Sequence, residues 1–157
     1  QGNIGVMPTD TIYGLVGQAQ NSAAIVRICK TKQRPVNKPF IILISALADL
    51  QKFNLKPKAL ELKIINQVWP GPVSIIFTKK LSFRLPALVW LRKFIKKTGP
   101  LIATSANIAG EAPARTITEA KRYFGQQIDF YLTSKTRARS PSVLIKIRNG
   151  KIIKVRS

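Results

Sequence analysis

Residues 57–78 read PKALELKIINQVWPGPVSIIFT, and this stretch contains the change of pattern that decides the fold. Pro57 to Val68 carries apolar residues at helical spacing, whereas Val73 to Thr78 is a short apolar run typical of a buried strand. The Trp69-Pro70-Gly71-Pro72 segment between them predicts a turn, because Pro and Gly interrupt regular structure. A helix that leads directly into a strand is typical of a layered α/β domain.

The same alternation of strand-length apolar runs and amphipathic stretches continues on both sides of this segment. Near the end of the chain, Arg148-Asn149-Gly150 separates two apolar runs, and an Asn-Gly pair favours a tight hairpin turn. The predicted fold class is therefore α/β with a mixed sheet, not a purely parallel one. Further strands are predicted at Ile4 to Met7, Phe40 to Ser45, Leu101 to Thr104, Ser142 to Ile147 and Lys151 to Val155, and further helices at Ala23 to Lys30, Leu47 to Phe53, Leu88 to Lys97 and Thr116 to Phe124.

Two of the predicted helices have recognisable capping residues. Asn21 or Ser22 can cap the helix that begins near Ala23. Glu119 follows Thr116 by three residues, which is the spacing of a capping box.

Length and hydrophobicity limit the kind of protein. A chain of 157 residues with 45% hydrophobic content can build one domain with a real core, but not two ordinary domains. The longest apolar run, Phe40 to Ile44, is much shorter than the roughly 18 residues of a membrane span. Gln1 to Gly5 lacks the features of a secretory signal peptide. We therefore expect a single soluble domain that is cytoplasmic and has no membrane partner.

The side chains most used in catalysis are scarce. Cys29 is the single cysteine and there is no histidine, which excludes an internal disulfide and a zinc site built from Cys and His. No two of the six carboxylates are placed as an obvious acid/base pair, which argues against many hydrolases.

Positive charge is abundant by contrast. The chain has 27 Lys and Arg against six Asp and Glu, for a formal net charge of +21, so the partners should be anionic. Codon bias and an ordinary solvated surface are the simpler explanations of the lysines, but codon bias does not by itself remove acidic residues. Nucleotide phosphates and RNA both fit this charge.

Lys32-Gln33-Arg34-Pro35 ends the first predicted helix. Proline disfavours helical conformation in the preceding residue, so Arg34 should be extended and Lys32 and Arg34 should point the same way. An ammonium beside a guanidinium is suited to grip a polyphosphate or a carboxylate. A basic pair at a helix end is also what the helix dipole favours on an ordinary surface.

Two other polar segments follow predicted strands. Thr104-Ser105-Ala106-Asn107 lies where one strand ends, and ligands of open α/β sheets collect at strand ends. Pro8-Thr9-Asp10-Thr11 follows the first strand in the same way. Taken alone, either segment is equally compatible with a simple turn or loop.

Together these segments resemble the YrdC/TsaC family of threonylcarbamoyl-AMP synthases, from about Gly2 to Arg156. Several short motifs occur in the family's order, which is more specific than any one of them. They are PTDTIYGL (Pro8 to Leu15), KQRP (Lys32 to Pro35), WPGPV (Trp69 to Val73), RLP (Arg84 to Pro86), TSANIAG (Thr104 to Gly110) and PSV (Pro141 to Val143).

The resemblance implies a YrdC-like fold, a twisted mixed sheet with flanking helices around a concave basic cleft. It assigns two groups of residues to the cleft, with Lys32 and Arg34 as the catalytic pair. ATP would be bound by Lys32, Arg34, Lys38, Ser105, Asn107 and Arg156, and threonine by Thr11, Arg84 and Ser142, while Thr9, Tyr13, Ala103 and Pro113 would line the pocket.

The implied reaction joins L-threonine, bicarbonate and ATP, with Mg²⁺ on the phosphates and no bound organic cofactor or protein metal site. The product would pass, through transient contacts, to the complex that transfers the threonylcarbamoyl group to tRNA. The basic surface could also bind tRNA or other RNA.

In this family a helix usually precedes the first strand. Since the chain begins at Gln1, we expect a single YrdC-like domain over residues 1–157 that lacks this helix and is of the single-domain type. Two rivals remain open. One is a non-catalytic RNA-binding protein of YrdC-like fold, and the other is the YrdC-like domain of carbamoyltransferases such as HypF.

Overall fold

The computed structural model describes residues 2–133 and 140–156, and these residues form a nine-stranded sheet flanked by helices. The strands are β1 (Ile4–Met7), β2 (Gly14–Gln18), β3 (Phe40–Leu43), β4 (Val73–Ile76), β5 (Leu81–Arg84), β6 (Leu101–Ser105), β7 (Phe130–Tyr131), β8 (Val143–Arg148) and β9 (Lys151–Arg156). The helices are α1 (Ser22–Lys32), α2 (Ala59–Val68), α3 (Val89–Thr98) and α4 (Ile117–Phe124), with a 3₁₀ helix at Leu47–Phe53.

The sheet is mixed, as predicted. Its strand order is β7-β1-β2-β6-β3-β5-β4-β8-β9. The pairs β1/β7, β3/β5 and β4/β8 are parallel, and the other neighbouring pairs are antiparallel. The Asn149-Gly150 hairpin between β8 and β9 is confirmed, because both residues adopt the positive φ angles of a tight turn, 51° and 70°.

Helix α1 packs closely on one face of the sheet at Gly17 of β2, which has no side chain. The Asn21 side chain caps the helix by accepting from the Ala24 N–H at 3.1 Å, so Asn21 and not Ser22 is the cap. A Cβ on Gly17 would lie 3.1 Å from the Ala24 Cβ and 3.1 Å from Ile4. Gly17 therefore sets how closely α1 approaches β1 and β2.

Helix α3 covers part of the opposite face. Its buried residues Leu91 and Ile95 pack with Val16, Leu43 and Leu101 of the central strands. Side chains two positions apart in a strand share a face, so the residues two positions away, Gly14, Ile41 and Ala103, lie on this face too. Ile41 and Ala103 pack against this cluster, and all three residues also line a cavity.

The WPGPV turn joins α2 to β4 as predicted. The Trp69 Nε1–H donates to the Val73 carbonyl at 2.6 Å, and the Gly71 N–H donates to the Leu85 carbonyl at 2.9 Å. A Cβ on Gly71 would lie 2.7 Å from the Val68 carbonyl oxygen, which explains the glycine. The turn thus ties the start of β4 to the end of β5.

Three strands were not predicted, namely β2, β5 and β7. β2 contains two glycines in five residues and only one β-branched residue, Val16, so its strand signal is weak. β5 ends in Arg84, whose charge argues against a central position, and β7 has only two residues. The region predicted helical at residues 47–53 is a 3₁₀ helix.

The capping box at the start of α4 is confirmed only in part. The Thr116 hydroxyl accepts from the Glu119 N–H at 3.1 Å, but the Glu119 carboxylate accepts from the Arg115 N–H rather than from the N–H of Thr116. Within residues 2–133 and 140–156, no helix has the length and apolar content to cross a membrane.

Candidate active site

A cavity of about 450 Å³ opens on the α3 face of the sheet. Its lining includes the end of β5, which lies level with the start of β6, and the end of β6, which pairs with the start of β2. This volume is in the range of ordinary small-ligand sites. Nine residues predicted from the sequence to bind ligands all line it: Thr11, Lys32, Arg34, Lys38, Arg84, Ser105, Asn107, Ser142 and Arg156. Five of these carry positive charge, and no carboxylate is among the described residues of the lining.

Lys32 is the last residue of α1, and its ammonium is held by the segment that follows β6. The Nζ atom donates to the Ser105 carbonyl at 2.5 Å, to the Asn107 carbonyl at 2.7 Å and to the Asn107 Oδ1 at 2.9 Å, and lies 3.3 Å from the Ser105 Oγ. Three N–H donors thus face four oxygens. The contacts fix the ammonium at the floor of the cavity.

The charge of Lys32 has no opposite charge beside it. The side chain is only 5% exposed, and among the described residues no carboxylate lies within ion-pairing distance. Burial, together with the nearby Arg34, lowers the pKa of Lys32 to about 8. An anion that enters the cavity would relieve this cost.

Asn107 holds both the ammonium and the following loop. Its amide nitrogen donates to the carbonyls of Ile108 at 2.8 Å and Glu111 at 2.7 Å, while its oxygen accepts from Lys32. Both amide hydrogens are therefore used within the protein. The geometry is that of a residue that positions Lys32.

Arg34 reaches the same cavity by a different route from the one predicted. Gln33 adopts a left-handed conformation with φ 52°, and the N–H groups of Gln33 and Arg34 cap the end of α1 by donating to the Lys30 and Cys29 carbonyls. The prediction that extended geometry makes Lys32 and Arg34 point the same way is wrong, because Lys32 lies in α1 and Gln33 is left-handed. The chain reverses at Gln33, and this reversal brings both cations to one side.

The Arg34 guanidinium lies over an aromatic ring. Its Cζ lies 4.3 Å from the centroid of Phe40, and its Nη atoms donate to the Pro39 carbonyl at 3.0 Å and the Thr104 hydroxyl at 3.3 Å. Burial lowers the pKa of Arg34. Its Nε is buried and has no hydrogen-bond partner among the described residues.

Arg84, at the end of β5, forms the opposite wall of the cavity. It is 4% exposed, and its Nη1 donates to the Thr11 hydroxyl at 3.0 Å and its Nη2 to the Thr9 hydroxyl at 3.3 Å. Nη2 also lies 3.1 Å from Asp10 Oδ1 in an ion pair. Burial is the main effect that lowers the pKa of Arg84, and Asp10 opposes it.

Ser142 and Arg156 complete the side of the cavity next to β4. The Ser74 hydroxyl donates to the Ser142 hydroxyl at 2.9 Å, and Arg156 donates to the Ser142 carbonyl at 3.1 Å. Ser142 is buried, whereas Arg156 and Lys38 are exposed and lie at the rim.

Of the four residues expected to line the pocket, Thr9, Ala103 and Pro113 do so, and Tyr13 does not. Tyr13 is buried in the core, and its carbonyl accepts from the Ala106 N–H at 3.0 Å. Asp10 was missed by the sequence reasoning. Its position between Thr9 and Thr11 was the available signal, because consecutive polar residues in a loop can grip one partner from several sides.

The described residues contain no group of three His, Cys, Asp or Glu side chains that could hold a metal ion. The donor set of the cavity, with lysine, arginine, hydroxyl and amide groups, suits anions rather than a resident cation.

A family model described as telomere recombination, which covers the Sua5, YciO and YrdC proteins, matches residues 1–157. The chain is 31% identical to a threonylcarbamoyl-AMP synthase of Marinobacter nauticus, over 95% of this chain and 87% of that protein. It is also 31% identical to a Methanocaldococcus jannaschii protein named for the same activity, over 99% of this chain and 79% of that protein.

Among solved structures, the fold is similar to that of P. abyssi Sua5 crystallised with L-threonine. The TM-score is 0.86 at 23% identity, and the match covers 99% of this chain. The chain spans about half of that Sua5 chain, 50% of its length.

Proposed function

The chain belongs to the Sua5/YciO/YrdC family, and on that premise we propose that it is an L-threonylcarbamoyladenylate synthase, a nucleotidyltransferase. It would convert L-threonine, bicarbonate and ATP into threonylcarbamoyl-AMP and pyrophosphate. The names of two relatives, each 31% identical over nearly the whole chain, support this assignment.

One observation carries the proposal from the structure itself. Two anion-binding groups face a single cavity, Lys32 with Arg34 on one side and Arg84 with Thr11 on the other. A single anion would need one such group. A reaction between a triphosphate and an amino-acid carbamate needs both, held at a fixed separation.

The chemistry needs no protein nucleophile. The amine of threonine and bicarbonate give a carbamate and water, and a carbamate oxygen then attacks the α-phosphorus of ATP. A P–O bond to that oxygen forms as the P–O bond to the leaving pyrophosphate breaks. Both reactants are anionic, so positioning and charge neutralisation supply the catalysis. A chain without histidine can perform such a reaction.

We assign the nucleotide to the side formed by Lys32, Arg34, Ser105 and Asn107, with the exposed Lys38 and Arg156 at the rim. Lys32 and Arg34 would neutralise phosphate oxygens as negative charge moves to the leaving group. Mg²⁺ would arrive as part of the ATP complex and be bound by its phosphates, because the described residues offer no cluster of metal ligands.

We assign threonine to the side formed by Thr11, Arg84 and Ser142. The guanidinium of Arg84 suits the α-carboxylate, because its planar fork of donors matches two oxygens. The hydroxyls of Thr11 and Ser142 lie in the same wall and are available to the polar groups of the amino acid.

The same proposal extends to partners and location. The product would pass to a separate tRNA threonylcarbamoyl transferase complex through transient contacts in the cytoplasm. The exposed cations Lys93, Lys96 and Lys97 of α3 offer a surface for tRNA or other RNA. A purely RNA-binding role is not favoured, because it leaves the converging groups of the cavity unexplained.

Pyrophosphate release from Mg·ATP and bicarbonate tests the function, measured with and without L-threonine. We expect release that requires threonine, is absent in Arg34→Ala, and is accompanied by incorporation of ¹³C from labelled bicarbonate into a threonylcarbamoyl-AMP product identified by mass. ATP binding without threonine-dependent release in the wild-type protein would refute the assignment.

A further inference from the structure

Asp10 forms an ion pair with the Arg84 guanidinium, and the proposed reaction assigns it no role. Its side chain is 7% exposed, and it is not part of the cavity lining. It therefore cannot contact a ligand in the cavity directly. Any effect on the reaction must pass through the residues that it touches.

Three consecutive residues, Thr9, Asp10 and Thr11, contact the guanidinium of Arg84. Arg84 donates from Nη1 to Thr11 and from Nη2 to Thr9, and Asp10 Oδ1 lies 3.1 Å from Nη2. The two hydroxyls accept from different Nη atoms and so restrict rotation of the guanidinium, and the Asp10 carboxylate lies beside Nη2 as a counter-charge. An arginine side chain without such contacts has several rotamers to choose from.

The carboxylate is itself fixed. Asp10 Oδ2 accepts from the Ala87 N–H at 3.1 Å, in the segment that leads from β5 to α3. The Thr9 hydroxyl is held in a similar way, because it donates to the Ile12 carbonyl at 2.8 Å. The Asp10 carboxylate and the Thr9 hydroxyl are thus both anchored to backbone groups.

Asp10 has two opposing effects on an anion that binds Arg84. Its negative charge weakens the attraction, whereas its contacts hold the guanidinium in place before the anion arrives. Arg84 is almost fully buried, and a buried charge without a counter-charge is costly and tends to change position or recruit water. We infer from this geometry that Asp10 and Thr9 are positioning residues, which hold Arg84 for a carboxylate. This inference rests on the assignment of Arg84 to threonine.

Asp10→Asn is the sharpest variant, because asparagine keeps the shape and can still accept from the Ala87 N–H. We expect the Kd for L-threonine, measured by calorimetry, to rise about tenfold, since an asparagine whose oxygen accepts from Ala87 turns its amide N–H groups towards Arg84 and the ion pair is lost. The Kd for ATP should stay within about twofold. Thr9→Val, which removes the second anchor without changing size, should act in the same direction.

Asp49→Asn is the matched control. Asp49 is also a buried aspartate in an ion pair, with Lys52 at 2.7 Å, and it accepts from the Ser45 N–H at 2.8 Å. Neither Asp49 nor its partners line the cavity. The control should leave both Kd values unchanged even if it lowers thermal stability.

The side chain of Arg84 gives a second measurement that does not depend on threonine. In ¹⁵N spectra, with the signals identified from Arg84→Lys, hindered rotation of the Arg84 guanidinium should be seen in the wild type and lost in Asp10→Asn. Tighter threonine binding in Asp10→Asn would overturn the inference, because Asp10 would then act only as a counter-charge. An unchanged Kd would overturn it as well. A wild-type protein that binds no threonine would instead refute the assignment of the site, and the spectra would still test the positioning.

Discussion

Lys32 and Arg84 are both buried cations in the wall of one cavity, but their surroundings differ. Lys32 is surrounded by carbonyl, amide and hydroxyl oxygens, none of which carries a charge. Arg84 has a carboxylate, Asp10, at 3.1 Å. The first cation is therefore uncompensated and the second is paired.

This difference suggests how one cavity can bind a triphosphate and a carboxylate at separate places. An uncompensated charge, assisted by Arg34, attracts a multiply charged group such as a triphosphate strongly and with little demand on geometry. A paired guanidinium attracts less, and its fixed plane favours a group whose two oxygens match it. We attribute affinity mainly to the Lys32 side and selectivity mainly to the Arg84 side.

Removal of the uncompensated charge should have the largest effect. Lys32→Ala should lower turnover by roughly a hundredfold or more, the size of effect seen when a preorganised donor is lost. Because Lys32 is buried and serves the oxygens of Ser105 and Asn107, stability should also fall, by about 1–3 kcal/mol. Thermal unfolding and steady-state rates measure the two effects.

Lys30→Ala is the control for this comparison, since Lys30 lies on the same helix and is exposed. Lys30→Ala should change neither the turnover nor the thermal stability appreciably. If Lys32→Ala and Lys30→Ala were equally active, Lys32 would have no part in the reaction.

The second-largest effect should be the pH dependence of ATP affinity, which distinguishes Lys32 from Arg84. The pKa of Lys32 is lowered to about 8, so its proton is lost as pH rises above that value, whereas Arg84 stays charged. ATP affinity should fall about tenfold between about pH 7 and about pH 9. Calorimetric titration with ATP at several pH values measures this, and an affinity that stays flat over the interval would contradict it.

The loss of ATP affinity at high pH cannot be due to unfolding caused by deprotonation of Lys32. A lysine whose pKa is lower in the folded than in the unfolded state binds fewer protons when folded. Its contribution to stability therefore rises as pH increases from about 8 towards the ordinary lysine value of 10.5.

The smallest expected effect concerns the ring beneath Arg34. Phe40→Leu removes the aromatic face that lies 4.3 Å from the guanidinium carbon, and ATP affinity should fall about two- to fivefold. Phe53→Leu removes an aromatic contact elsewhere, with Phe83, and should leave ATP affinity unchanged. Equal losses in the two variants would indicate a general packing defect rather than a role for the stacked ring.

The sequence could predict the mixed α/β fold because its helices and longer strands follow simple patterns. The WPGPV turn and the Asn149-Gly150 hairpin have residue types that allow few conformations. β2 could not be predicted in this way, because Gly17 is determined by the helix α1 that packs on it.

The candidate residues were found by their resemblance to a family, and the structure adds how they are held. No pattern in the chain indicates that Lys32 is held by the backbone after β6, since those residues are more than seventy positions away. The left-handed Gln33 was equally hidden, because glycine or asparagine is usual at that position. Asp10 lies in the polar segment Pro8-Thr9-Asp10-Thr11, but its role could not be predicted, because its contact with Arg84 joins residues far apart in the chain.

The most direct test of the two-sided account is a set of Kd values for ATP and for L-threonine in the wild type, Arg34→Ala and Arg84→Ala. The account predicts a crossed pattern. Arg34→Ala should weaken ATP about tenfold or more and threonine at most about twofold, and Arg84→Ala should do the reverse. Equal losses of both ligands in both variants would contradict the division of the cavity into a nucleotide side and a threonine side.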